Sequence, residues 1–182
     1  MKILYINACV RECSRTRELA EYLLSRLKGD ITEIELASEG LHSLDRDSLY
    51  ARDRGELSYR KHAEQFAAAD IIVIAAPYWD MSFPALLKEY IENICVTGIT
   101  FKYHNDRPVG LCRAEKLYYV TTAGGPFIPD FGYCYIKALA ESFYGIPYCK
   151  CFCAQGLDIY GADVDRIIRA LRKEIDDEQT EL

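Results

Sequence analysis

The stretch Ile71-Ile72-Val73-Ile74-Ala75-Ala76-Pro77-Tyr78-Trp79-Asp80-Met81-Ser82 decides the fold. Its first six residues form an unbroken apolar run rich in β-branched side chains. A central strand of a parallel sheet, buried on both faces, reads this way. Behind it, Pro84 fits a helix start, and Leu86, Leu87, Tyr90, Ile91 and Ile94 form an apolar stripe at helical spacing. Toward the N-terminus, Ile3 to Ile6 is a second short strand. Leu19, Ala20, Leu23, Leu24 and Leu27 repeat as a helix, with Ser14 as its cap and Gly29 as its stop. Ile31 to Leu36 alternates apolar with polar, hence a strand exposed on one side. Residues 38–55 are charged and patternless and read as a long surface loop with room for a helical turn. Ala63, Phe66 and Ala67 predict a helix running to Ala69. Toward the C-terminus, Lys116 to Thr122 is a strand, and Ile136, Leu139, Ala140 and Phe143 mark a helix. Tyr148 to Cys153 is the last strand. Val164, Ile167, Ile168, Leu171 and Ile175 stripe a final helix. Five strands thus alternate with five helical segments. Parallel neighbours need crossover helices, so this order implies an open, doubly wound α/β sheet in a single domain spanning 1–182.

Composition narrows the function. A chain of 182 residues with 50% hydrophobic content can bury a core without staples. A net charge of -6 disfavours nucleic acid as a partner, which demands a basic face. The apolar run from Ile71 to Trp79 is far short of the ~20 residues of a membrane span. The N-terminal run is too short for a signal peptide, so a cytoplasmic location is expected, with the eight cysteines as thiols. No CxxC pair is present. Cys149, Cys151 and Cys153 alternate on one strand face, where they read as small apolar fillers rather than metal ligands; no metal is expected. His42 and His62 lie in charged segments and read as solvated.

In an open α/β sheet, ligands sit outside the carboxyl ends of the strands. Three tips carry suitable chemistry. The first runs from Asn7 to Thr16 and enters a helix N-terminus with the hydroxyls of Ser14 and Thr16 and the cations Arg11 and Arg15. Such a tip suits a phosphate; it also reads as an ordinary serine cap beside solvated arginines. It lacks the glycines of a P-loop or dinucleotide fingerprint. The second tip, Pro77-Tyr78-Trp79-Asp80-Met81, offers aromatics and a thioether against which a flat ring could lie, or a lid over the core. The third, Thr122-Ala123-Gly124-Gly125, offers backbone that a ligand can approach closely, or a plain turn.

Taken together the residues look familiar. Ala76-Pro77-Tyr78-Trp79-Asp80-Met81-Ser82-Phe83-Pro84-Ala85-Leu86-Leu87-Lys88-Glu89-Tyr90-Ile91-Glu92, followed by Gly98-Ile99-Thr100-Phe101-Lys102-Tyr103 and by Gly110-Leu111, resembles the flavodoxin-like FMN-dependent NAD(P)H oxidoreductases, the azoreductases and quinone reductases. The resemblance runs from residue 1 to about 160. It implies a flavodoxin-like three-layer sandwich whose five-stranded parallel sheet has the order 2-1-3-4-5, with helices on both faces. It implies FMN as cofactor, NADH or NADPH as reductant, and a homodimer. By the same resemblance Ser14, Arg15 and Thr16, with Arg11 near them, would hold the FMN phosphate. Pro77, Tyr78, Trp79, Asp80 and Met81 would pack on the flavin and ribityl chain. Thr122, Ala123, Gly124 and Gly125 would meet the pyrimidine edge. Two departures stand out. Ala8 and Cys9 replace common hydroxyls, and Pro126 to Phe131 follow Gly125 where several relatives carry a histidine.

The implied reaction is two-electron hydride transfer through flavin N5 to a small aromatic acceptor: a quinone, an azo compound or another flat molecule. No residue is assigned as catalytic; Tyr78, Tyr103 and His104 are the candidates for a proton relay. Two other readings stay open: a flavodoxin-like electron carrier, although the Thr-Gly-Asn-Thr loop of such carriers is absent, and a non-catalytic relative that has lost FMN. A serine hydrolase is disfavoured because no Gly-x-Ser-x-Gly elbow occurs.

Overall fold

The expected strands pair as the sequence pattern demands. In the computed structural model, which describes residues 1–56 and 60–180, β1 (Lys2–Asn7), β2 (Asp30–Glu35), β3 (Ile71–Ala75), β6 (Lys116–Thr122) and β7 (Tyr148–Ala154) form one sheet in the order β2-β1-β3-β6-β7. All of its pairings are parallel. Counting only these five strands, the order is 2-1-3-4-5, as the resemblance implies. β3 is buried at every position, as its unbroken apolar run predicts.

The crossovers put helices on both faces, because a right-handed connection between parallel strands must pass over the sheet. α1 (Arg15–Leu24) and α6 (Val164–Thr180) cover one face, where Leu19, Leu23 and Ile175 meet Tyr5, Val73, Tyr118 and Phe152. α3 (Lys61–Ala68), α4 (Ala85–Ile94) and α5 (Tyr133–Leu139) cover the other, where Phe66, Leu87, Ile91 and Ile136 meet Ile6, Ile74 and Tyr119. Leu19 and Leu23 are fully buried; truncating either to alanine costs about 2–5 kcal/mol.

Several local features depart from the sequence reading. Residues 38–55 are not wholly loop, since α2 (Arg46–Asp53) forms there. Asp45 caps it, accepting from the Ser48 N–H at 2.8 Å while Ser48 Oγ answers the Asp45 N–H at 2.7 Å. The segment after α4 folds into an antiparallel hairpin of β4 (Phe101–His104) and β5 (Arg107–Gly110). The fourth sheet helix ends as a π-helical turn, Ala140–Tyr144. Its left-handed stop, Gly145, lies against Gly110 of the hairpin, and a Cβ at Gly110 would fall 2.2 Å from the Tyr144 carbonyl carbon.

Two side-chain expectations also change. His62 is buried (8% exposed), not solvated, with its ring edge toward Tyr90 and Nε2 3.4 Å from a Glu39 carboxylate oxygen. All eight cysteines are free thiols. Cys149 and Cys151 pack against the core, as the filler reading holds.

Candidate active site

The carboxyl ends of β1, β3, β6 and β7 surround a cavity of about 960 Å³. It lies where α/β geometry places ligands, beside the reversal of strand order around β1 and β3.

Its first wall is built by the β1–α1 loop. Asn7 ends β1 buried, and its Oδ1 accepts from the Cys9 N–H at 3.0 Å, which turns the chain out of the sheet. Arg17 fastens the same loop, donating to the Cys9 carbonyl at 3.1 Å and to Glu35 at 2.9 Å. Cys9 is therefore a packed loop residue; burial pushes its thiol pKa up. Ser14 is the N-cap, as expected, and its Oγ accepts from the Arg17 N–H at 3.2 Å. That leaves the Ser14 hydroxyl proton directed elsewhere, beside first-turn N–H groups that have no intrahelical acceptor. Thr16 is buried, and its hydroxyl shares a 2.7 Å hydrogen bond with that of Thr122, tying the first tip to the third.

The second wall is the β3 tip. Tyr78 donates its N–H to the Thr122 carbonyl at 3.0 Å, and its ring meets Phe127 edge-on at 5.2 Å. Trp79 and Ser82 exchange backbone hydrogen bonds at 3.0 and 2.7 Å around a tight turn. Asp80 and Met81 form the turn's tip, at φ 50° and 67°. The third wall is the β6 tip. The Ala123 N–H is committed to the Ala154 carbonyl at 2.9 Å. Those of Gly124 and Gly125 meet no acceptor among the described residues.

Of the residues singled out in the sequence, Arg11, Ser14, Arg15, Thr16, Pro77, Tyr78, Trp79, Thr122, Ala123 and Gly124 line this one cavity. Asp80, Met81 and Gly125 adjoin it in the same loops but are not among its lining. Tyr103 and His104 sit on the exposed β4–β5 hairpin, outside the lining. Sequence reasoning placed Val10, Glu12 and Cys13 within the first tip without assigning them a contact, and missed Arg17, Glu18, Glu21, Leu157 and Asp158. Leu157 and Asp158 could have been found by reading the fifth strand tip as the other three were read. For the glutamates, on or beside α1, no sequence signal marks the face that looks into the cavity.

A doubly wound sheet with a helix N-terminus, an aromatic loop and a glycine loop around one cavity defines a cofactor-binding α/β protein. The chain belongs to the flavodoxin-like fold family, whose model matches residues 1–178. It is 39% identical over 186 aligned positions to the FMN-dependent NADH:quinone oxidoreductase 2 of Clostridium acetobutylicum, covering 92% of each chain. It is 33% identical to the FMN-dependent NADH:quinone oxidoreductase of Coprothermobacter proteolyticus, covering 95% of each. Among solved structures, an azoreductase from Bacillus anthracis superposes with a TM-score of 0.86 at 23% identity over the whole of both chains. An FMN-dependent NADH-azoreductase of the same species, in complex with FMN, superposes at 0.80, with 22% identity over 100% of this chain and 99% of that one.

The residues present suit FMN. Hydroxyls, first-turn N–H groups and the cations Arg11 and Arg15 make a donor set that suits a phosphate in the cavity. Pro77, Tyr78 and Trp79 supply a flat apolar wall, and Gly124 in the lining, with Gly125 beside it, supplies N–H donors that meet no acceptor among the described residues.

Proposed function

We propose that this protein is an FMN-dependent NADH:quinone oxidoreductase that also accepts other flat aromatic oxidants such as azo compounds. The observation that carries the reading is the convergence of a phosphate donor set, an aromatic wall and free backbone donors on one cavity. The names of the relatives support FMN and, between the two nicotinamides, NADH. FMN, when bound, supplies two-electron hydride chemistry at its N5.

The chain's own residues bind and orient. Ser14 and Thr16, with Arg11 and Arg15, hold the phosphate, and Thr122 fixes the Thr16 rotamer through their shared hydrogen bond. Trp79 and Tyr78 would pack along the ring system, and Phe127 backs Tyr78. The Gly124 and Gly125 N–H groups, which meet no acceptor among the described residues, would donate to the pyrimidine edge of the flavin; donors fixed in advance stabilise negative charge there without reorganisation. Asp80 and Met81 shape the loop from its tip. Tyr78 is the relay candidate that lines the cavity, so its Oη is the protein atom proposed to hand over a proton; Tyr103 and His104, on the hairpin, lie outside that lining.

A homodimer is part of this reading. Exposed Trp79 and Met81 in the β3 tip, and Phe131, whose carbonyl accepts from Ser82 of that tip, support it, as does Tyr103 on the hairpin. Tyr133, Tyr135, Phe143 and Tyr144 do not, since they are half-buried or buried in the chain's own core. Eight unpaired thiols suit a reducing, cytoplasmic setting, and no helix among the described residues is long and apolar enough to cross a membrane.

The test is steady-state turnover after loading with FMN. NADH oxidation that depends on added benzoquinone, and on FMN, is expected. Failure to take up FMN from solution would end the proposal.

A further inference from the structure

The β7–α6 loop carries an acid into a site built for an anion. Asp158 lines the cavity, and its Oδ1 lies 3.3 Å from Arg15 Nη1. The placement is built into the loop. The Asp158 N–H donates to the Gly124 carbonyl at 2.9 Å, and the neighbouring Gly156 N–H donates to the Gly125 carbonyl at 3.0 Å. The carboxylate rests over Gly124, where an added Cβ would lie 2.3 Å from Asp158 Oδ2. The bare α-carbon of Gly124 is what makes room for it.

The cations of the cavity are not equivalent. Arg17 is committed to Glu35 and the Cys9 carbonyl. Arg11 has no ion-pair partner among the described residues. Arg15 has one, Asp158, in a single long contact between side chains that are 49% and 75% exposed. Such a pair is weak. A phosphate dianion at the N-terminus of α1 offers Arg15 more charge and more acceptor atoms than one carboxylate does.

We propose that Asp158 is a placeholder anion: it pairs with Arg15 when the cavity lacks a phosphate, and a phosphate-bearing ligand must displace it. This rests on the FMN reading of the cavity. Asp158 then sets how strongly the site distinguishes a flavin with a phosphate from one without. Its charge opposes the phosphate twice, by occupying Arg15 beforehand and by repelling the dianion once bound. The cost falls on FMN alone, because riboflavin neither displaces the carboxylate nor carries charge toward it.

The experiment compares wild type, Asp158→Asn and Asp158→Ala in the cofactor-free protein, titrated with FMN and with riboflavin by quenching of flavin fluorescence. Both variants are expected to bind FMN about threefold to fivefold more tightly at low salt, the equivalent of one exposed ion pair. Riboflavin affinity should be unchanged, and the FMN gain should shrink at about 0.5 M NaCl, where exposed charges are screened. In an Arg15→Gln background, where no cation waits to be freed, the gain from Asp158→Asn should be smaller. Unchanged or weaker FMN binding in both variants, or an equal shift for riboflavin, would overturn the proposal. If wild type and both variants bind neither flavin, the cofactor reading itself fails and takes this inference with it.

Discussion

At the scale of single residues, the informative ones break a local rule. Met81 sits at φ 67° in the turn of the aromatic loop. A side chain there costs about 1–2 kcal/mol relative to glycine, so Met81→Gly should raise stability by about 1 kcal/mol in urea unfolding, unless the methionine side chain is held by the ligand. A rise in stability without FMN that vanishes with FMN bound would place Met81 in the binding wall; no rise in either state would contradict the strain. Gly110 breaks no dihedral rule but meets backbone on its open side. Gly110→Ala should destabilise by about 1–3 kcal/mol; a neutral result would mean that the hairpin shifts freely against the π-helical turn. His62 bears on pH. Burial holds its pKa below the ordinary 6.5, despite the opposing pull of Glu39. The folded state therefore binds that proton less readily than the unfolded chain, and stability falls as pH drops below about 6.5. His62→Gln should flatten that limb of the stability profile, read by urea midpoints between about pH 5 and 7. An unchanged slope would show the imidazole to be uninvolved.

At the scale of elements, Cys13 at the exposed end of the β1–α1 loop and the cysteines of β7 make opposite predictions. Burial pushes Cys149 to about 11 and Cys153 to about 12, and pushes Cys151 up as well. Cys13 and Cys134 are exposed, and Cys13 lines the cavity while Cys134 does not. Native iodoacetamide labelling followed by mass spectrometry should modify Cys13 and Cys134 first. Added FMN should slow Cys13 and leave Cys134 alone; equal protection, or none, would contradict the placement of the phosphate end. Elements also show what the sequence could reveal. β3 and the α4 stripe were legible because continuous or periodic apolar runs report burial directly. The β4–β5 hairpin was not read, because Phe101 is its buried anchor while Lys102, Tyr103 and His104 face solvent. Its turn residues, Asn105 and Asp106 at φ 49° and 59°, were the available signal, since a two-residue hairpin turn favours such side chains. α2 was read as no more than a helical turn in a loop because it buries only Ala51 and is held by its cap rather than by an apolar face. Asp158 escaped because the tip after the fifth strand was not read as the other three were, and its pairing with Arg15 shows only once the fold brings the two loops together.

At the scale of the whole molecule, the two cores hold the sheet rigid, so that loops from four strands meet with their geometry fixed by the scaffold beneath them. A site assembled this way can be pre-organised for a cofactor while the loops themselves differ widely. The same arrangement would serve a carrier, which exchanges electrons with protein partners, or an enzyme, which takes them from a nicotinamide. Anaerobic rapid mixing of the FMN-loaded protein with NADH separates the two and tests the central claim most directly. The account predicts rapid bleaching of the visible flavin band in one hydride-equivalent step, followed by its return when benzoquinone is added. A bound flavin that stays oxidised in excess NADH would contradict it.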